Sequence, residues 1–178
     1  MLSVVKSKRK DADEILTLQK ISYQSEAVIY NDWQLPALTQ SLESLRNEFS
    51  NTIILKAVIN TKIIGSVRAV AGNDCYKIGR LIVHPDYQKQ GIGTALLEKI
   101  ESINTSSKVF QLFTGSKSLS NIRFYEKSGY KIVETKTLSD KVELVFMEKY
   151  NSNPLAGWHD LDAGAVYRQF FHPFKANS

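Results

Sequence analysis

The 178-residue chain holds one cysteine, Cys75, which excludes an internal disulfide and fits a reducing, cytoplasmic setting. Its three histidines, His84, His159 and His172, stand at no metal-ligand spacing, and no metal is expected. No apolar run approaches the roughly 20 residues that a membrane-spanning helix needs. The first ten residues, MLSVVKSKRK, lack a long apolar core and a small-residue cleavage site, so they do not read as a signal peptide. Proline is scarce, at four residues, and neither a low-complexity linker nor a repeat interrupts the chain. What is present, 43% hydrophobic and 23% charged residues, is the composition of an ordinary globular domain with a real core.

The net charge of +5 suits anionic ligands in general. The densest basic cluster, Lys6, Lys8, Arg9 and Lys10, reads as a solvated strand end. No aromatic stacking motif of the RNA-binding kind accompanies it, and nucleic acid is not an expected partner.

Hydrophobic periodicity divides the chain into elements. SVVKSKR is a first strand. Asp11 followed by Glu14 predicts a capping box, and Ile15, Leu18 and Ile21 carry a helix behind it. Pro36 interrupts the next segment, and a second helix is expected with Leu38, Leu42 and Leu45 on one face. From residue 52 the texture becomes β-branched. TIILKAVI, IIGSVRAV and CYKIGRLIV read as a three-strand meander joined by turns. Ile92, Ala95, Leu96 and Ile100 then mark a helix. KVFQLFT is a strand, and SLSNIRFYEKSG is a short helix that Gly129 ends in the left-handed conformation. YKIVETKT and KVELVFMEK form a closing hairpin. Strands that first pair as a meander and then as strand–helix–strand imply an α/β chain of α+β type. Its central sheet is mixed and mostly antiparallel, with helices on both faces.

The stretch HPDYQKQGIGTALLEKI joins the third meander strand to a helix. A helix start leaves backbone N–H groups without intrahelical partners, and the helix dipole adds partial positive charge there. Gly91 and Gly93 let an anion approach the backbone, and Lys89 adds a charge. Gln88 to Thr94 therefore read as a phosphate or pyrophosphate cradle. The stretch lacks the Gly-Lys-Ser/Thr ending of a nucleotide-binding P-loop. Leu96 stands where a dinucleotide fingerprint needs its last glycine. A strand-to-helix turn that binds nothing remains the plain alternative.

LIVHPDYQKQGIGTALL resembles the acetyl-CoA motif of the GNAT superfamily of N-acetyltransferases, Gln/Arg-x-x-Gly-x-Gly/Ala, through Gln88, Gly91 and Gly93. NIRFYEKSGY resembles the family's Asn-x-x-x-Tyr element through Asn121 and Tyr125, followed by Gly129 and Tyr130. The resemblance covers about residues 2 to 150. It implies the GNAT fold and direct transfer of an acetyl group from acetyl-CoA, a co-substrate, to a primary amine of a small molecule or protein. Leu81, Ile82 and Val83 would pair with the pantetheine arm, and Gln88, Lys89, Gln90, Gly91, Ile92, Gly93 and Thr94 would hold the pyrophosphate. Asn121 would hydrogen-bond the cofactor, and Tyr125 would give a proton to the leaving thiolate. The family often has a glutamate on the central strand, where this chain has Gly79. Glu26, Asp32, His84 and Asp86 are then the candidates for the base, with Glu26 placed first. The missing strand carboxylate keeps open a non-catalytic acyl-CoA-binding or regulatory module. Acceptor specificity is expected from residues 22 to 36, where Tyr23, Glu26, Tyr30, Asp32 and Trp33 read either as an acidic and aromatic rim for a cationic amine or, for the aromatics, as the core of two packed helices.

The domain is expected to end near residue 150. Residues 151–178 hold Trp158, Phe170, Phe171 and Phe174, too apolar for a typical disordered end. They are expected to dock on their own domain or across a homodimer.

Overall fold

The computed structural model describes residues 1–151 except Asn73 and Thr105. Of the expected docked extension, residues 151–178, all but Asn151 lie outside the described residues. Seven strands form one sheet in the order β1-β2-β3-β4-β5-β7-β6. They are β1 (Ser3–Lys6), β2 (Ile53–Ile59), β3 (Lys62–Ala71), β4 (Cys75–Val83), β5 (Val109–Gly115), β6 (Lys131–Thr137) and β7 (Glu143–Tyr150). β4 and β5 are parallel, and every other neighbouring pair is antiparallel. The strand–helix–strand crossover over α5 (Ile92–Ile103) requires that one parallel pairing.

Helices α1 (Ala12–Ser22), α2 (Gln24–Tyr30), α3 (Pro36–Thr39) and α4 (Leu42–Glu48) precede the second strand. Ile15, Leu16, Leu18 and Leu45 bury one face of the sheet with Ile54, Ile63 and Ile82. Helices α5 and α6 (Leu119–Lys127) cover the other, where Ile92, Leu96, Leu97 and Ile100 pack on Ile64, Val67, Ile78 and Phe110. Alternation along each strand sends successive side chains to opposite faces, so both cores arise from near-continuous apolar strands.

Two local expectations fail. The predicted capping box at Asp11 and Glu14 does not form. Asp11 makes no side-chain cap on α1; it accepts from the Lys8 N–H at 2.8 Å and pairs with Lys56 at 2.8 Å. Glu14 reaches across the fold and accepts from the Ile63 N–H at 2.7 Å. Both carboxylates find partners on other segments, which sequence spacing does not see. Nor do Leu38, Leu42 and Leu45 share one helix. Pro36 starts a short helix at a first-turn position, the chain extends at Gln40, and Ser41 caps a new one through the Ser44 N–H.

The Tyr76 ring is fully buried, and its hydroxyl has no hydrogen-bond partner among the described residues. Burial pushes that phenol up to about 12. An unsatisfied buried hydroxyl costs roughly 1–3 kcal/mol. Tyr76→Phe is therefore expected to stabilise the fold by about 1 kcal/mol, read as a higher midpoint in urea with an unchanged slope.

Candidate active site

β4 and β5 pair only from Cys75 to Lys77 against Val109 to Gln111. Beyond Lys77 the two strands separate, and among the described residues the β4 edge at Leu81–Val83 has no strand partner on that side. A bulge causes part of this divergence. Ser66 opposes Ile82 while Arg68 opposes Gly79, so Arg80 and Leu81 together face Val67. Arg80 sits at φ +50°, a left-handed conformation uncommon outside glycine. A bulge bends its strand and raises the local twist, which opens the sheet at its centre.

Leu81 and Val83 pack toward α5 and α6, and Ile82 packs toward α1. After Val83, His84 caps a single 3-10 turn, Pro85–Tyr87, by accepting from the Asp86 N–H at 3.3 Å. Its ring also stands 5.7 Å from Tyr87, edge to face. His84 is thus engaged in shaping the turn, and Asp86 lies on the exposed side of it. Gln88 donates through Nε2 to the Val83 carbonyl at 3.3 Å, and Gln90 to the Asp86 carbonyl at 3.3 Å. These two glutamines brace the loop from within.

Lys89 is left-handed at φ +59°, and Gly91 at φ +80° is the residue before α5. The helix proper begins with the Ala95 N–H on the Gly91 carbonyl, at 3.0 Å. Ile92, Gly93 and Thr94 therefore present N–H groups with no carbonyl one turn back. A Cβ built on Gly91 meets nothing within 4 Å, so the space beside Gly91 is open, whereas a Cβ on Gly93 would stand 3.5 Å from the Phe124 ring. A cavity of about 330 Å³ continues between α5 and α6, bordered by Thr94, Leu97, Phe124 and Lys127.

Tyr125 lies on α6, half-buried, with its ring edge-on to Phe124 at 5.2 Å and to Tyr130 at 5.9 Å. Its hydroxyl makes no hydrogen bond among the described residues. Burial pushes its pKa well above the ordinary phenol value, and Tyr23 and Glu26 push the same way through space. Gly129 ends α6 at φ +93°, as expected.

Glu26, from the distant helix α2, meets this group. It accepts from Ser118 Oγ at 2.5 Å and from Asn121 Nδ2 at 3.3 Å. Tyr30 fixes α2 against the start of α6, since its hydroxyl accepts from the Lys117 N–H at 2.8 Å and lies 3.2 Å from Ser118 Oγ. The structure therefore brings together Glu26, Asn121 and Tyr125, which are separated by about a hundred residues in the chain. It does not bring Asp32, which accepts from the Gln34 N–H at 2.9 Å in a local turn. The expected acidic and aromatic rim is likewise dispersed. Tyr30 is buried, Trp33 faces solvent, and Tyr23 lies under Arg80, whose Cζ is 5.5 Å from the ring centroid.

Ser118 was missed by sequence reasoning. A serine opening a helix reads as a cap, yet its side chain makes no cap bond and donates to Glu26 instead. Arg68 was missed as well. It is 5% exposed, bonded to Glu48 at 2.7 Å, to Gln19 and to Gln40 Oε1 at 3.3 Å, and its Nε has no partner among the described residues. An arginine inside an apolar strand is the signal that would have found it, because a buried charge demands partners. Among the described residues no cluster of His, Cys, Asp or Glu is arranged to hold a metal, and no helix is long and apolar enough to cross a membrane.

Comparison with known proteins agrees with this architecture. The solved PaiA N-acetyltransferase of Thermoplasma acidophilum, in complex with coenzyme A, superposes with a TM-score of 0.72 at 21% identity, over 84% of this chain and 99% of that one. The ribosomal-protein-S18-alanine N-acetyltransferase of Escherichia coli gives a TM-score of 0.72 at 16% identity, over 91% of this chain and 100% of its own. At such identities these structures speak to the fold alone. The UPF0157 protein YqkA of Bacillus subtilis (strain 168) is 27% identical over 124 residues, which is 70% of this chain and 36% of that protein. The chain thus spans little more than a third of that curated relative. The family model for the acetyltransferase (GNAT) domain matches residues 19–151, most of the chain, and the protein belongs to that family.

Proposed function

We propose that the protein transfers an acetyl group from acetyl-CoA directly to a primary amine. The observation that carries this reading is the opening of the sheet. Among the described residues it leaves an unpaired β4 edge leading toward the unpartnered amides of the α5 start, and Leu81, Val83 and Tyr125 pack on one core. An amide chain can pair with a free strand edge as another strand would. A diphosphate suits the amides at the head of α5, where Gly91 leaves room for it. Lys89, two residues before Gly91, adds a positive charge in the same loop.

Acetyl-CoA supplies the acyl group already activated as a thioester. Backbone N–H groups of β4 at Leu81–Val83 orient and polarise the thioester carbonyl. The amine nitrogen forms the new C–N bond as the C–S bond breaks. Tyr125 donates its phenolic proton to the departing sulfur and recovers one from solvent. Glu26, directly or through a water, takes the proton that the amine loses. It is the carboxylate beside Asn121 and Tyr125, and Gly79 gives β4 none. Ser118 and Asn121 hold Glu26 in place.

The direct test is release of free thiol from acetyl-CoA in the presence of amino acids, peptides, aminoglycosides and polyamines. Acceptor-dependent release supports the reading. Tight CoA binding without release toward any acceptor would favour a non-catalytic acyl-CoA-binding module instead.

A further inference from the structure

The chemistry of the acceptor is written on the face of β4 opposite the cradle. Arg80 lies there, over the Tyr23 ring, at the strained bulge residue. It makes no ion pair among the described residues, although a guanidinium in a half-buried position ordinarily takes a carboxylate. Its neighbour Gly79 is the cross-strand partner of Arg68, and a Cβ built on Gly79 meets nothing within 4 Å. Arg68 and Arg80 act on each other as like charges. Only Arg68 is neutralised, by Glu48, and even its Nε is left unpartnered. An open space is thus floored by glycine and walled by an unpaired guanidinium and an aromatic ring. Glu26, three residues after Tyr23, supplies negative charge at the other end, where Tyr125 waits.

We infer that the acceptor amine carries a carboxylate, as an amino acid or the end of a short peptide does, and that Arg80 binds that carboxylate while the amino group lies toward Glu26. The inference rests on the acetyltransferase reading, and it replaces the cationic acceptor that the aromatic and acidic residues of 22 to 36 suggest by sequence. A bidentate guanidinium–carboxylate pair fixes both position and orientation. It also gives a reason for a non-glycine residue to stand at φ +50°. Strain held at a bulge aims one side chain, and here the aimed side chain is a cation.

The test uses paired acceptors and paired products. Free amino acids are compared with their C-terminal amides in the thiol-release assay, with spermidine as the cationic control. Acids should exceed amides in kcat/KM by about 10- to 100-fold, the range expected for a charged hydrogen bond. Arg80→Gln should bring the two series within about threefold. Gly79→Glu should do the same, because its carboxylate would occupy the open space and pair with Arg80. Binding is read separately by NMR titration of N-acetyl amino acids and N-acetyl amino acid amides, which needs no catalysis. Shifts at Tyr23 and Arg80 with the acids alone support the inference even if no transfer occurs, an outcome that would remove the enzyme reading only. Equal behaviour of acids and amides, preference for spermidine, or a loss of CoA affinity rather than of acid preference in Arg80→Gln would each overturn it.

Discussion

Tyr125→Phe should lower kcat by 10²- to 10⁴-fold, about the contribution of a positioned general acid, while the Kd for acetyl-CoA stays within about twofold. The substitution removes one hydroxyl and keeps the ring that packs on Phe124 and Tyr130, so the fold is retained. Calorimetry with CoA and a steady-state thiol assay separate the two quantities. The pH profile adds a second check. Burial, Tyr23 and Glu26 all raise the Tyr125 pKa, and a raised pKa keeps the phenol protonated at higher pH. The wild-type rate should therefore show no fall from loss of the acid between pH 8 and the ordinary phenol value of about 10. A fall of kcat with a midpoint near pH 9 that vanishes in the phenylalanine variant would show that the hydroxyl is not held as described. Unchanged kcat in that variant would remove Tyr125 from the chemistry.

Gly91→Glu is expected to weaken CoA binding by at least about 100-fold. Two effects add. A side chain at φ +80° carries roughly 1–2 kcal/mol of backbone strain, because Cβ crowds the following carbonyl oxygen. The new carboxylate then stands where the diphosphate is expected, and like charges at short range repel by a further few kcal/mol at an effective dielectric near 20. Gly91→Ala isolates the first effect and should cost roughly tenfold. Calorimetry with CoA measures both, and thermal unfolding confirms that each variant folds. Equal affinity in wild type and Gly91→Glu would mean that the diphosphate does not sit at the head of α5.

Local regularities made much of this fold legible. The meander from residue 53 to 83, the amphipathic α5 and the closing β6–β7 hairpin follow from apolar alternation and helical spacing. The family signal was legible too, since Gln88, Gly91, Gly93, Asn121 and Tyr125 lie close together in two short motifs. The failures concern side chains whose partners are remote. Asp11 and Glu14 have the spacing of a cap, but Lys56 and the Ile63 N–H outcompete the helix end. Ser118 has the position of a cap, but Glu26 takes its proton donor. His84 and Gln88 sit in the motif region, yet both spend their hydrogen bonds on the loop itself.

The sequence by itself determined the order of the strands along the chain, the glycine that ends α6 in the left-handed conformation at 129, and membership of a family defined by short motifs. Those properties depend on neighbours within a turn or two, where backbone sterics and apolar periodicity act. Only the tertiary structure decided that β4 and β5 part after three paired residues, that Glu26 joins Asn121 and Tyr125, and that Arg80 stands above Tyr23 with no ion-pair partner among the described residues. Such charge relationships arise between segments some fifty to a hundred residues apart. They depend on which cation finds a carboxylate once the chain has closed, and no local pattern records the one that does not.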